Sequence, residues 1–210
     1  MSVFTNIRFY VLVITFSLSV IIFWQSTGIP DQVAQISQLT RVYALSAITC
    51  LYLALLATPL TRIFTFLPYR GLYIKARRAI GVSACYFALL HGSIAFFLQL
   101  GGFSSLSLLS DRYLLAISLS FTALVILILM ASTSFDVMVQ KLGFKSWKIL
   151  HRLVYLAATL ILIHVLLIGS DFSNHSGPIF RITLGAVAFL LFLESIRFYQ
   201  YLKQKLVNSV

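Results

Sequence analysis

Residues 147–164 read WKILHRLVYLAATLILIH, two histidines enclosing twelve residues of which Arg152 alone is charged. An imidazole placed in hydrocarbon needs a partner, because an unpaired polar group there costs several kcal/mol. The stretch is apolar enough to belong to a membrane-crossing helix, so its reading turns on what His151 and His164 meet.

The rest of the chain has the same character. Of its 210 residues 60% are hydrophobic and 10% charged, and the mean hydropathy is +0.98. That is the composition of an integral membrane protein, whose first partner is the lipid bilayer. A hydrocarbon core of about 30 Å needs about 20 helical residues. Six segments meet that length, approximately 8–25, 41–60, 79–100, 112–132, 148–169 and 179–200. Turn residues separate them in STGIPDQ, LPYRG, GGFSS, STSFD, KLGFK and GSDFSNHSGP. The expectation is an all-α, six-helix transmembrane bundle forming a single domain over 1–210, with the first apolar run a spanning helix and not a cleaved leader.

The net charge of +11 would point to nucleic acid in a soluble protein. In a membrane protein the distribution matters more, and it argues against a nucleic-acid partner. Arg62, Arg70, Lys75, Arg77 and Arg78 lie between the second and third segments, and Lys141, Lys145 and Lys148 between the fourth and fifth. The opposite side holds Arg41, Arg112 and Arg181. This asymmetry predicts cytoplasmic N and C termini. The closing YLKQKLVNSV is too short for a nucleotide-binding fold, so a soluble redox partner is expected on a separate chain. Cys50 and Cys85 fall inside apolar runs and read as small core residues.

His91, His151 and His164 lie in the third and fifth segments, while His175 reads as a solvated loop residue. A lone membrane histidine usually makes an interhelical hydrogen bond. Three of them in two helices, in spans nearly free of acids, favour metal ligation. His91 is thirteen residues past Arg78 and His164 thirteen past His151. At about 1.5 Å per residue each interval covers about 20 Å, so His91 and His164 share a depth toward the outer side and His151 lies near the cytoplasmic side. Two imidazoles at one depth suit the two axial positions of a haem iron. A second haem at the His151 level would complete a path across the bilayer.

No histidine stands opposite His151, where Arg77 and Arg78 lie instead. Arg77 comes within about 40° of the His91 face, where it could clamp a haem carboxylate or flank an open axial position, whereas Arg78 reads as a topology anchor. His151 and His164 fall about 140° apart on an ideal helix. Either two haems are offset around that helix, or the helix is distorted. Ala84, Ala88 and Ala95 share the His91 face and leave room for a bulky planar group. Trp147, Tyr155, Tyr86 and Phe87 read as interfacial or lipid-facing aromatics that could also pack on such a group.

TPLTRIF, KARRAIGVSACYFALLH, RYLLAISLS and LGFKSWKILHRLVYLAATLILIH together resemble the MsrQ family, haem-binding membrane subunits of bacterial methionine sulfoxide reductase systems, within the ferric-reductase-like transmembrane superfamily. The resemblance implies b-type haem with His91, His151 and His164 as iron ligands, and a bacterial inner-membrane location. It also implies electron delivery to a periplasmic molybdenum-containing methionine sulfoxide reductase, supplied by a cytoplasmic flavin reductase or membrane quinol. Flavin mononucleotide is sometimes attributed to the family, and no motif in this chain carries it. The match is poorest in the first helix and the last loop, which leaves a ferric-reductase-like carrier with a different acceptor as the alternative. A proton-coupled transporter would need mid-membrane carboxylates, yet Asp31, Asp111, Asp136, Asp171 and Glu194 lie mostly at segment ends. A three-histidine zinc hydrolase would need His151 and His164 on one metal, which about 20 Å of continuous helix forbids.

Overall fold

The computed structural model describes residues 7–173 and 177–207, and every regular element among them is helical. In chain order these are α1 (Ile7–Thr27), α2 (Gln32–Ile63), α3 (Arg70–Ile94), α4 (Asp111–Ser132), α5 (Asp136–Leu142), α6 (Phe144–His151), α7 (Leu153–Ile168) and α8 (Pro178–Val207). Six helical stretches are long and apolar enough to cross a membrane, with α6 and α7 together making one of them. The chain is a multi-pass membrane protein. His175 lies outside the described residues.

Two boundaries differ from the sequence expectation for physical reasons. α2 begins at Gln32, well before 41, because the Asp31 carboxylate accepts from the Ala34 N–H at 2.9 Å and caps the helix there. The stretch expected at 148–169 divides at Arg152, whose N–H bonds the Ile149 carbonyl at 3.1 Å while its own carbonyl takes the Tyr155 N–H at 3.1 Å. These are three-residue steps, as in a tightened turn, which advances about 120° per residue where an α-helix advances about 100°. The distortion therefore moves His151 and His164 toward a common face. At the other end of α3 the backbone passes into a π turn, Ala95–Gln99, starting four residues beyond His91.

α2 packs most extensively on α3, and α4 on α7, with α3 and α4 joining the two pairs. Leu51 and Leu55 of α2, Ala84 and Cys85 of α3, Ala123 and Leu127 of α4, and Ala157 of α7 form one buried cluster. Its alanines are nearly inaccessible, Ala157 fully and Ala84 and Ala123 to within 1%. Small residues permit this close approach where apolar burial alone gives little driving force, because lipid tails are as apolar as the core. Hydroxyl pairs attach α1: Thr15 with Ser83 at 2.7 Å, and Ser19 with Tyr86 at 2.8 Å. Tyr43 donates to the Ser19 carbonyl at 3.0 Å. Phe87, expected in the belt, is buried instead against Tyr43.

Candidate functional site

The bundle brings His91 of α3 and His164 of α7 together, with ring centres 6.5 Å apart and planes at 76°. Two imidazoles sharing a metal at about 2 Å per bond stand about 6 Å apart, centre to centre. Both rings are oriented alike. His91 Nδ1 is 2.9 Å from the Thr40 carbonyl of α2, and His164 Nδ1 is 2.9 Å from the Ala116 carbonyl of α4. A carbonyl oxygen only accepts, so each Nδ1 carries the proton and each Nε2 keeps its lone pair. That is the arrangement by which an outer hydrogen bond fixes a histidine for metal binding.

The surroundings fit a bulky group between the rings. α3 and α7 make no extensive packing with each other among the described residues, since each is packed on a different partner. Ala84 is buried in the core cluster and Ala88 packs against it. The Thr40 hydroxyl is buried with no hydrogen-bond partner among the described residues. An unsatisfied buried hydroxyl costs about 1–3 kcal/mol, which a bound group or water at the site would offset.

The inner level is built differently. His151 has its Nε2 3.3 Å from the Thr133 hydroxyl, a long contact. Its ring lies on Trp147, with centres 4.2 Å apart and planes at 33°. Arg77 and Arg78 both stand within electrostatic range of His151, and no second imidazole faces it among the described residues. Arg77 donates to α2 instead, through Nε to the Ala54 carbonyl at 3.0 Å and through a terminal nitrogen to the Thr58 hydroxyl at 2.7 Å. Thr58 immediately precedes Pro59, the proline inside α2. Tyr73 reaches the same turn, donating to the Leu53 carbonyl at 2.6 Å. The level thus offers one imidazole, with two guanidiniums nearby. Among the described residues no group of three or more histidine, cysteine or acidic side chains is arranged to hold a metal.

Two features of this level escaped the sequence reading. Arg78 is more than an anchor: it pairs with Asp136 at 2.6 Å and stands 4.7 Å over the Trp147 ring. The spacing of Trp147 and His151, four residues apart on one helix, was the available signal. Second, Glu194 and Arg197 of α8 pair at 2.7 Å, and the Tyr155 hydroxyl lies 3.3 Å from each. Arg77 is within electrostatic range of all three.

Residues 42–163 match the ferric reductase like transmembrane component family, a stretch that includes His91 and His151. The chain is also similar to proteins named protein-methionine-sulfoxide reductase heme-binding subunit MsrQ. That of Herminiimonas arsenicoxydans is 35% identical over 144 residues, 68% of this chain and 62% of the relative. That of Cronobacter sakazakii is 37% identical over 122 residues, 57% of this chain and 58% of the relative. The Deinococcus radiodurans protein is 34% identical over 122 residues, 58% of each. The matches thus span about three fifths of the length of these curated relatives. With more than half its residues inside the family's span, the chain belongs to the ferric reductase like transmembrane component family.

Proposed function

We propose that the chain is a b-type haem subunit carrying single electrons across the bacterial inner membrane to a periplasmic molybdenum-containing methionine sulfoxide reductase on another chain. The donor is cytoplasmic, a flavin reductase or a membrane quinol, and the termini face it. The observation that carries the reading is the 6.5 Å pair of imidazoles with both Nδ1 atoms fixed on carbonyls. The names of the MsrQ relatives, each a haem-binding subunit, supply the chemical identity of the group. A haem held by His91 and His164 would supply one-electron chemistry at the outer level.

The chain's own residues hold, orient and insulate. The His91 and His164 rings stand 6.5 Å apart, centre to centre, with Nε2 left free for a ligand, while the Thr40 and Ala116 carbonyls set their ring planes. Leu51, Leu55, Ala123, Leu127 and Ala157 keep water from the interval between the two levels. His151 is the ligand proposed for a second haem near the cytoplasmic side, with Arg77 as partner for its carboxylates. Substrate chemistry belongs to the partner, so this single transmembrane unit is a conduit.

The test is a reduced-minus-oxidised visible spectrum of the purified protein with haem quantification. A colourless preparation from haem-replete cells would end the reading. If haem is present and His91→Ala and His164→Ala abolish one spectral component while His151→Ala affects another, the two-level assignment stands. Failure of the reduced protein to pass electrons to a methionine sulfoxide reductase would favour a carrier with a different acceptor.

A further inference from the structure

Among the described residues His151 has neither an imidazole facing it nor a backbone carbonyl on a ring nitrogen of the kind that Thr40 and Ala116 give His91 and His164, so its plane is set by other contacts. Trp147 lies one helical turn earlier, and its ring centre is 4.2 Å from that of His151. The indole is itself held. Its Nε1–H donates to the Thr133 carbonyl at 3.0 Å, and Phe144 stacks beside it with centres 6.0 Å apart and planes at 25°. Arg78 stands 4.7 Å over the indole, is tied to Asp136 at 2.6 Å, and Asp136 is tied to Arg8 at 2.9 Å.

Thr133 closes the figure. Its carbonyl takes the Trp147 proton while its hydroxyl stands 3.3 Å from His151 Nε2. One residue at the end of α4 thus meets the edge of the indole and the edge of the imidazole stacked on it. Two rings in contact at 4.2 Å, tilted by 33°, whose edges meet one residue restrict each other's rotation. Four other elements reach this plate: α4 through Thr133, α3 through Arg78, α5 through Asp136 and α1 through Arg8.

We propose that Trp147 is the positioning residue for His151, with its indole fixing the imidazole's plane and bringing the Arg78 charge to the inner level. It touches neither donor nor acceptor in this role and acts through His151. The part of the proposal that concerns a haem rests on the function proposed above, whereas the part that concerns the imidazole does not.

The first measurement therefore needs no cofactor. Full-length protein in detergent is treated with diethyl pyrocarbonate, and carbethoxylation of each histidine is followed by mass spectrometry. Trp147→Leu should raise the rate at His151 several-fold and leave His91 and His164 unchanged, and Trp147→Phe, which keeps a ring, should restore most of the protection. An unchanged rate at His151 in Trp147→Leu overturns the proposal, and so does equal acceleration at all three histidines, which marks general loosening. If Trp147→Leu does not accumulate, Arg78→Gln, which removes the cation from the face of the indole, decides by the same rates, and protection at His151 equal to that of the unaltered protein overturns it.

The second measurement is made on haem-loaded protein. The electron paramagnetic resonance signature of the His151-dependent component should shift in Trp147→Leu, and its midpoint potential should fall in Arg78→Gln, because a nearby cation favours the reduced, less positive iron. The component belonging to His91 and His164 should stay where it is. A shift of that outer component alone contradicts the assignment.

Discussion

His164 donates from Nδ1 to the carbonyl oxygen of Ala116 at 2.9 Å, across a position where Ala116 itself is wholly inaccessible. The methyl group leaves just enough room for an imidazole to reach the α4 backbone. Ala116→Leu should therefore displace His164 and remove the spectral component that depends on it. Overpacking of this kind costs about 1–3 kcal/mol, so the protein should still fold. Haem content per chain together with a thermal melt would separate lost binding from lost fold, and full retention of the outer component in Ala116→Leu would count against the role given to this carbonyl.

Arg77 should matter more to α2 than its place beside the inner level suggests. Thr58→Val removes one charge-assisted hydrogen bond, with an expected loss of about 1.5–3 kcal/mol. Arg77→Gln removes the Ala54 bond as well and should lower the melting temperature further. A melting temperature unchanged in both variants would show that the α2 contacts seen at 3.0 and 2.7 Å contribute nothing.

Asp136 gives the fold an acid-sensitive joint. Desolvation is the largest single cause and raises the carboxyl pKa, but the hydrogen bond and charge of Arg8 together with the charge and hydrogen bond of Arg78 outweigh it and hold the group below the usual carboxylate range. A folded pKa lower than the unfolded one, about 3.9, contributes stability that is fully present above that value. The contribution is lost as pH falls through the lower, folded value. Asp136→Asn should thus melt lower than the unaltered protein at neutral pH, and the two melting curves should converge in strong acid. Parallel curves down to the acid limit would contradict the pairing.

Glu194 and Arg197 neutralise each other inside a membrane-spanning helix, with 20% and 27% of their side chains exposed. Glu194→Gln leaves the guanidinium unpaired and should destabilise by roughly 3 kcal/mol. Converting Arg197 to Gln in the same chain should recover much of the loss. Urea or thermal unfolding of the single and double variants measures this coupling, and additivity of the two substitutions would argue that the pair is incidental.

The six spans were legible because hydrocarbon thickness fixes their length. The common depth of His91 and His164 followed from the helix rise alone. What counting residues could not supply was lateral contact. The Thr40 and Ala116 carbonyls look like any other backbone, and only tertiary packing shows that each receives a histidine. The 140° offset of His151 and His164 allows for a distorted helix, but nothing in LHRLVY departs from ordinary helix chemistry to place the tightened turn at Arg152. Position in the membrane reads Trp147 and Arg78 as belt residue and charge anchor, whereas packing also sets the guanidinium 4.7 Å over the indole.

The helices divide into two close pairs, α2 with α3 and α4 with α7, and each pair is complete in itself: one imidazole and the carbonyl that aims it. The two rings come together, 6.5 Å apart, only across the seam. A metal-centred group seated there would act as a staple between two preformed hairpins, so its uptake would report that both had folded and docked in register. Loading would then come late in biogenesis and would serve as its quality check.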